Sequence, residues 1–415
     1  EKGNLVKETD ANGGVTVYTY DANNRLTSRT DPEGDVTRFA YNANHWITSA
    51  EDGEGYVTQY QYDANGNIVS VTDGRGNSTR FTYDGLDRLV MVVDAENGVT
   101  TYTYDEIGNV TSTSTPNDAT VSAAYDKNGR KVSETDGEGY TTVYTYDGNG
   151  NLTSKTDPRE GTTTYTYDAD NRLTKVTTPM GFETAYVYDS LGQLVAVINA
   201  NQGMDQATYD ADGRLTSVTT PLGLVTSYQY DRMGRIVKQV NPDDTSIQYT
   251  YDANGNRLTK TDARGNTTTY TYNKDNLLTS ATDPEGGVVT YTYNKNHEAV
   301  TRTNEKGGVV TAVYDANGNI TQVTDARGNS STYEYDKLDR LTTATTAEGN
   351  VTTYTYDGVG MTATVTRPTG GVFQNTYDKN SQVVQWTDSL ENSESYVYDG
   401  NGNLIEKTNR RGYKT

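Results

Sequence analysis

Cysteine is absent from the sequence, which removes disulfides, thiol catalysis and thiolate metal ligands together. It leaves the compartment open, because secreted proteins without cysteine are common. Histidine occurs twice, at His45 and His297, too sparsely for a histidine-built metal centre. No Gly-x-Ser-x-Gly elbow is present, so nucleophilic catalysis has no carrier. Only 33% of the 415 residues are hydrophobic, and no apolar run approaches the ~18 residues of a membrane span. Positive charge is also short: 35 Lys and Arg face 56 Asp and Glu, a net −21. Such a chain repels phosphate backbones and heparin-like polyanions, which excludes nucleic acid as a partner and assigns the charge to solubility.

What is abundant is tyrosine and turn chemistry. There are 35 Tyr against 4 Phe, and 40 Gly, with Thr, Asn and Asp between them. Asn, Asp and Gly disfavour helix, whereas Tyr and Thr favour strands. Nineteen tyrosines, from Tyr20 to Tyr398, stand 21 residues apart without insertion or deletion, sixteen followed by Asp and three by Asn. A fixed period of this kind marks a repeat architecture.

Numbering each of these tyrosines 0 gives the other positions meaning. Position −2 is usually aromatic, and position 6 is aliphatic in most repeats, as at Leu26, Ile68 and Leu152. Position 4 is Gly66, Gly150 or Gly255, or else mostly Asn, Asp or His, the residues that best tolerate φ > 0, so it closes a left-handed Tyr-Asp-x-x-Gly turn. His45 and His297 both fall here and read as turn residues rather than as a general base or ligand. All 8 prolines, Pro32 and Pro284 among them, fall at position 12, and position 14 is usually Gly, as at Gly265. Asp at 11, Pro at 12 and Gly at 14 are the letters of a second turn.

Two turns per repeat leave two strands of about six residues with alternating apolar and polar residues. The chain reads as all-β: an antiparallel meander of roughly 38 strands, one continuous array of about 19 repeats over residues 1–415. Pairing Tyr20 with Leu26, Tyr62 with Ile68, Tyr146 with Leu152, and likewise Tyr251 with its following strand, makes the first turn even in register. A period of 21 is odd, so one residue has to be absorbed. The expectation is an extra residue at the Pro/Gly turn, around positions 12 to 15, which makes the two turns different. Each aliphatic then lies between two tyrosines on a level ladder. So wide a sheet, without a second layer, coils to protect its edges and apolar stripe, giving a hollow β-spiral tube or shell.

The unit YDANGNRLTKTDARGNTTTYTYN, Tyr251 to Asn273, resembles the YD repeats of bacterial Rhs proteins. Similar repeats occur in wall-associated Rhs-type proteins, in the shell-forming components of Tc toxins and in teneurins. The resemblance covers essentially the whole chain. It implies a non-enzymatic structural segment of a secreted or cell-surface protein, whose hollow β-shell encloses and delivers a toxin or other cargo. The alternative is an open-ended extracellular fibre or stalk, acting in adhesion or as a scaffold, with possible carbohydrate contacts through stacked Tyr rings. No cap, effector domain or cleavage junction stands out. Starting at position 2 of one repeat and stopping at position 17 of another, the chain is expected to be a segment of a longer array, with neighbouring repeats as its first partners.

No catalytic or cofactor-binding residue is expected. Turn formation accounts for the aspartates. The one metal reading is calcium at Asp63, Asn65 and Asn67, and at Asp252, Asn254 and Asn256, where Asp-Ala-Asn-Gly-Asn is similar to the start of an oxygen-rich loop; the distal bidentate Glu of an EF-hand is missing.

Overall fold

A computed structural model describes residues 3–415. The described residues form 39 strands and no helix, from Lys7–Thr9 to Leu404–Thr408. The strand beyond the expected 38 is Lys7–Thr9, from the partial repeat ahead of Tyr20. Strands ending at a repeat tyrosine have six residues and those that follow have five. The chain divides into two compact units: residues 1–141 together with 290–415, and residues 142–289. Within each unit every strand pairs antiparallel with the next along the chain.

Both turns of the repeat have one geometry, contrary to the expectation from parity. Asp252 N–H donates to the Asn256 carbonyl (2.9 Å) and Gly255 N–H to the Asp252 carbonyl (3.2 Å). Asp262 N–H donates to the Asn266 carbonyl (2.9 Å) and Gly265 N–H to the Asp262 carbonyl (3.0 Å). Gly255 and Gly265 have φ of 96° and 85°. Each is a type I turn followed by a left-handed residue, which matches the twist of the flanking strands. His45 and His297 hold the same conformation, at 68° and 66°.

The odd residue sits instead in a strand, at a β-bulge beside the tyrosine. Tyr251 lies opposite Arg257, but Thr250 lies opposite Thr259, so Leu258 is skipped. The same shift follows Tyr20–Leu26, Tyr62–Ile68 and Tyr146–Leu152. Side chains confirm two residues facing one: the Thr19 hydroxyl meets Thr27 at 2.8 Å and Ser28 at 2.6 Å. The Pro/Gly turn carries no bulge, since Thr259, Lys260 and Thr261 pair in order with Thr269, Thr268 and Thr267.

The ladder is therefore staggered, not level. Thr250 aligns through Thr259 with Thr269, one residue before Tyr251 but three before Tyr272. Each repeat slips two residues, roughly 7 Å along the strand. That is one residue per strand, the ratio of an eight-stranded barrel with shear 8. Stagger of this kind is what lets a sheet curve round instead of lying flat.

No core in the usual sense exists. Among the described residues no large side chain is fully buried, and the buried hydrophobics are Ala119 and Ala196. One sheet face carries the half-buried tyrosines and the other the exposed Thr positions between them. Backbone ladders and half-covered aromatic rings hold this wall, not an apolar interior.

Candidate functional site: the turn edges and the seam

The bulge explains the tyrosine. It leaves the position-6 carbonyl short of a ladder partner on the side of the next repeat, and the next tyrosine supplies one. Tyr251 Oη donates to the Ile236 carbonyl at 2.9 Å, Tyr62 to Ile47 at 2.8 Å and Tyr41 to Leu26 at 2.8 Å. Each position-6 residue does stand between two tyrosines, but the second contact is to its backbone. Burial pushes the Tyr62 and Tyr272 phenols up, which keeps them protonated as donors. Phe cannot make this bond; position −2, where Phe39, Ala123 and Asn375 occur, does not require it.

The position-1 aspartate organises its turn. Asp84 Oδ1 accepts from the backbone N–H of Leu86 (2.8 Å) and Arg88 (3.0 Å), and Oδ2 from Arg88 Nε (2.8 Å). The Arg88 side chain, then its backbone N–H, holds the Asp84 carboxyl below its ordinary value. Arg88 also reaches the next repeat: Nη1 donates to the Asp105 carbonyl at 3.1 Å, and the guanidinium lies 4.7 Å from the Tyr104 ring. Arg25 and Arg235 do the same across Tyr41 and Tyr251.

The residues read as calcium ligands occupy these same turns. Asp63 Oδ1 accepts from Asn65 and Asn67 N–H, each at 2.9 Å, and Oδ2 from Asn67 Nδ2 at 3.0 Å. Asn65 Nδ2 donates to Asp87 Oδ1 at 2.8 Å. The Asn67 side chain is the largest influence lowering the Asp63 carboxyl. Asn256 Nδ2 likewise donates to Asp252 Oδ2 (2.8 Å), and Asn254 Nδ2 to Asn276 Oδ1 (2.8 Å). Gly66 and Gly150 close their turns at φ of 96° and 94°. Pro32 and Pro284 follow Asp31 and Asp283 in turns closed by Gly34 and Gly286. Trp46 packs against Tyr62, with ring centroids 5.2 Å apart, and Trp386 against Phe373 at 6.1 Å.

Sequence reasoning missed a seam inside the unit made of residues 1–141 and 290–415. Pro/Gly turns of the first segment meet Tyr-Asp turns of the second at an offset of 241 to 244 residues, about eleven and a half repeats. Lys295 N–H donates to Glu54 Oε1 (2.8 Å), Glu54 N–H to Asn296 Oδ1 (3.1 Å), and Asn296 Nδ2 to Asp52 Oδ2 (2.9 Å). Glu96 and Glu138 accept in the same way from Lys337 and Lys379 N–H, at 3.0 and 2.6 Å. Between them Arg75 crosses the seam to Asp339 Oδ1 at 2.7 Å and the Tyr335 carbonyl at 3.1 Å.

Glycine at position 12 marks the seam. Position 12 is Gly only at Gly53, Gly74 and Gly137. A Cβ there would lie 2.5, 2.8 and 2.8 Å from the backbone carbonyls of Lys295, Ala316 and Lys379. None of the three has positive φ, so close approach, not turn conformation, requires them. Where Pro116 stands instead, the glycine is opposite, at Gly358. This split of position 12 between Gly and Pro was the available signal.

These features define a class: a structural repeat protein of the YD-shell fold. The RHS Repeat family model matches residues 1–36, 20–57, 41–77, 62–99, 83–120, 125–163, 146–181, 167–203 and 377–414, together more than half the chain. The chain belongs to the RHS-repeat family. The Teneurin YD-shell model matches residues 206–368. No curated protein matches in sequence. Among solved structures, TcdB2-TccC3-Cdc42 is similar over 96% of this chain and 26% of that one, at 16% identity and a TM-score of 0.61. TcdB2-TccC3-TEV and TcdB2-TccC3 are similar over 95% of this chain, at 13% and 14% identity and TM-scores of 0.57 and 0.55. The chain spans about a quarter to a third of the length of these proteins.

Proposed function

We propose that the chain is a wall segment, without catalytic role, of a longer secreted or cell-surface RHS-repeat protein, and that the wall forms a hollow shell enclosing a toxin or other cargo. The seam carries this reading. Carboxylates, amides and a guanidinium join one row of turns to another at 2.6 to 3.1 Å, with glycine wherever the backbones come closest. A barrier needs its rows sealed, and these contacts seal them. The likeness to TcdB2-TccC3 supports the same reading at the level of the fold.

The test is to join a small, protease-sensitive domain to the C-terminal end and image the particles. Density for that domain inside the wall, with resistance to protease, is the expected result. An extended tube of uniform width with the domain outside and digested would favour the fibre reading. Calcium binding in the Tyr-Asp turns is a separate proposal, and an unchanged melting temperature on addition of chelator removes it.

A further inference from the structure

The Tyr-Asp turn favours glycine at its fourth residue, where φ is positive. In five turns that another Tyr-Asp turn follows, Asn stands third and Gly fourth: 65–66, 128–129, 149–150, 254–255 and 317–318. Such a pair is chemically exposed. Glycine has no side chain to shield its backbone nitrogen, and that nitrogen lies next to the amide carbon of the Asn side chain. The turn backbone treats these pairs alike. Asn65 and Asn128 N–H each donate to the turn aspartate at 2.9 Å, and Gly66 and Gly129 N–H to its carbonyl at 3.3 and 3.0 Å.

What differs is the hold on the Asn side chain. Asn65 Nδ2 donates to Asp87 Oδ1 at 2.8 Å, Asn149 Nδ2 to Asn171 Oδ1 at 3.0 Å and Asn254 Nδ2 to Asn276 Oδ1 at 2.8 Å. Asn317 Nδ2 donates to Asp339 Oδ1 at 3.0 Å and, across the seam, to Asp73 Oδ2 at 2.8 Å. A guard thus stands 22 residues on in each case, at the fourth residue of the next turn. Asn128 is exposed, and only its backbone N–H is hydrogen-bonded. Twenty-two residues on, the sequence has Gly150, which has no side chain to offer.

We propose that Asn128-Gly129 is a site of spontaneous deamidation, and that the guard residue keeps the other four pairs intact. The Gly129 nitrogen bonds to Asn128 Cγ and closes a succinimide ring. The Gly129 N–H proton leaves with the side-chain nitrogen as ammonia. Water then opens the ring at either carbonyl, giving aspartate or isoaspartate. At a guarded pair the side-chain hydrogen bond has to break before the amide carbon can turn toward the glycine nitrogen. The isoaspartate product routes the chain through the side-chain carbon and lengthens the turn. It removes the bond from Gly129 N–H to the Asp126 carbonyl, so this turn opens irreversibly with age while its neighbours persist.

Peptide mapping by mass spectrometry, over a time course at mildly alkaline pH, tests it on the full chain. In the wild type Asn128 is converted ahead of Asn65, Asn149, Asn254 and Asn317, and in denaturant the five rates converge. Asn171→Gly removes the guard from Asn149 and Asp87→Gly the guard from Asn65, each placing glycine where φ is already positive, at 61° and 59°. Each variant speeds conversion at its own site about two- to tenfold, the worth of one hydrogen bond, and leaves Asn128 unchanged as an internal standard. Five equal rates in the folded wild type, a ranking that persists in denaturant, or guard variants that leave Asn149 and Asn65 as slow as before would each overturn the proposal.

Discussion

The turns at 52–56 and 220–224 share one backbone and differ in what faces them. The first presses Gly53 against the Lys295 carbonyl and lends the Asp52 and Glu54 carboxylates to the opposing turn. The second has Pro221 at the same position and holds Leu222 and Leu224 into solvent. The first, fourth and fifth residues of a turn answer to local geometry, as the repeated hydrogen bonds show. The second and third answer to a distant part of the chain. A strict repeat thus carries two layers of information, one written every 21 residues and one written only along the seam.

The largest expected effect separates the two layers. Gly53→Ala places a methyl 2.5 Å from a backbone carbonyl and destabilises by about 1–3 kcal/mol in urea unfolding. Gly148→Ala meets open space at ordinary φ and is neutral, or stabilising by about 0.4–1 kcal/mol. Equal effects would end the distinction. A smaller contrast lies within one strand. Tyr251→Phe strands the Ile236 carbonyl and costs about 0.5–1.5 kcal/mol, whereas Tyr249→Phe, at the position where Phe39 and Phe81 occur naturally, costs little by the same measurement.

The smallest effect per site is with pH. Asp84, Asp63, Asp262 and Asp325 are held below the ordinary carboxylate range, in each case first by the side chain four residues on. A depressed folded-state pKa gives stability that is present above the unfolded-state value, about 3.9, and lost as pH falls through the folded one. Melting temperature therefore stays level near neutrality and drops below about pH 4. Thr178 and Thr220 replace this aspartate in the apolar turns, so amide exchange there changes less on acidification than at 262–266.

Much of the fold was legible in the sequence. The period, both turns and the strand limits follow from Tyr, Asp, Gly and Pro placement, and parity showed that one residue per repeat needed absorbing. Parity gives a total and not a place. The skipped residue is usually Thr or Val, such as Thr27 or Val69, which suit a pleated strand as well as a bulge, so no letter points to it. The extra residue was expected at the Pro/Gly turn, yet proline at the second residue leaves this turn with the same hydrogen bonds as its neighbour. The role of the tyrosine hydroxyl depended on the bulge and stayed hidden with it. The seam was invisible for another reason: its partners lie about 242 residues apart, and only the choice between Gly and Pro at position 12 records them.

That record bears on how such genes change. Repeat tyrosines such as Tyr251 bond to the repeat before them and arginines such as Arg88 reach the one after, so gaining or losing a whole 21-residue copy leaves these local bonds intact. Recombination between copies is silent at that level. It is felt along the seam, at Gly53, Gly74, Gly137 and the Pro116–Gly358 pair and at the side chains that bond across it. Removing one copy between the two segments would set Pro116 against Lys379, whose carbonyl otherwise meets glycine, turning a size match into a collision.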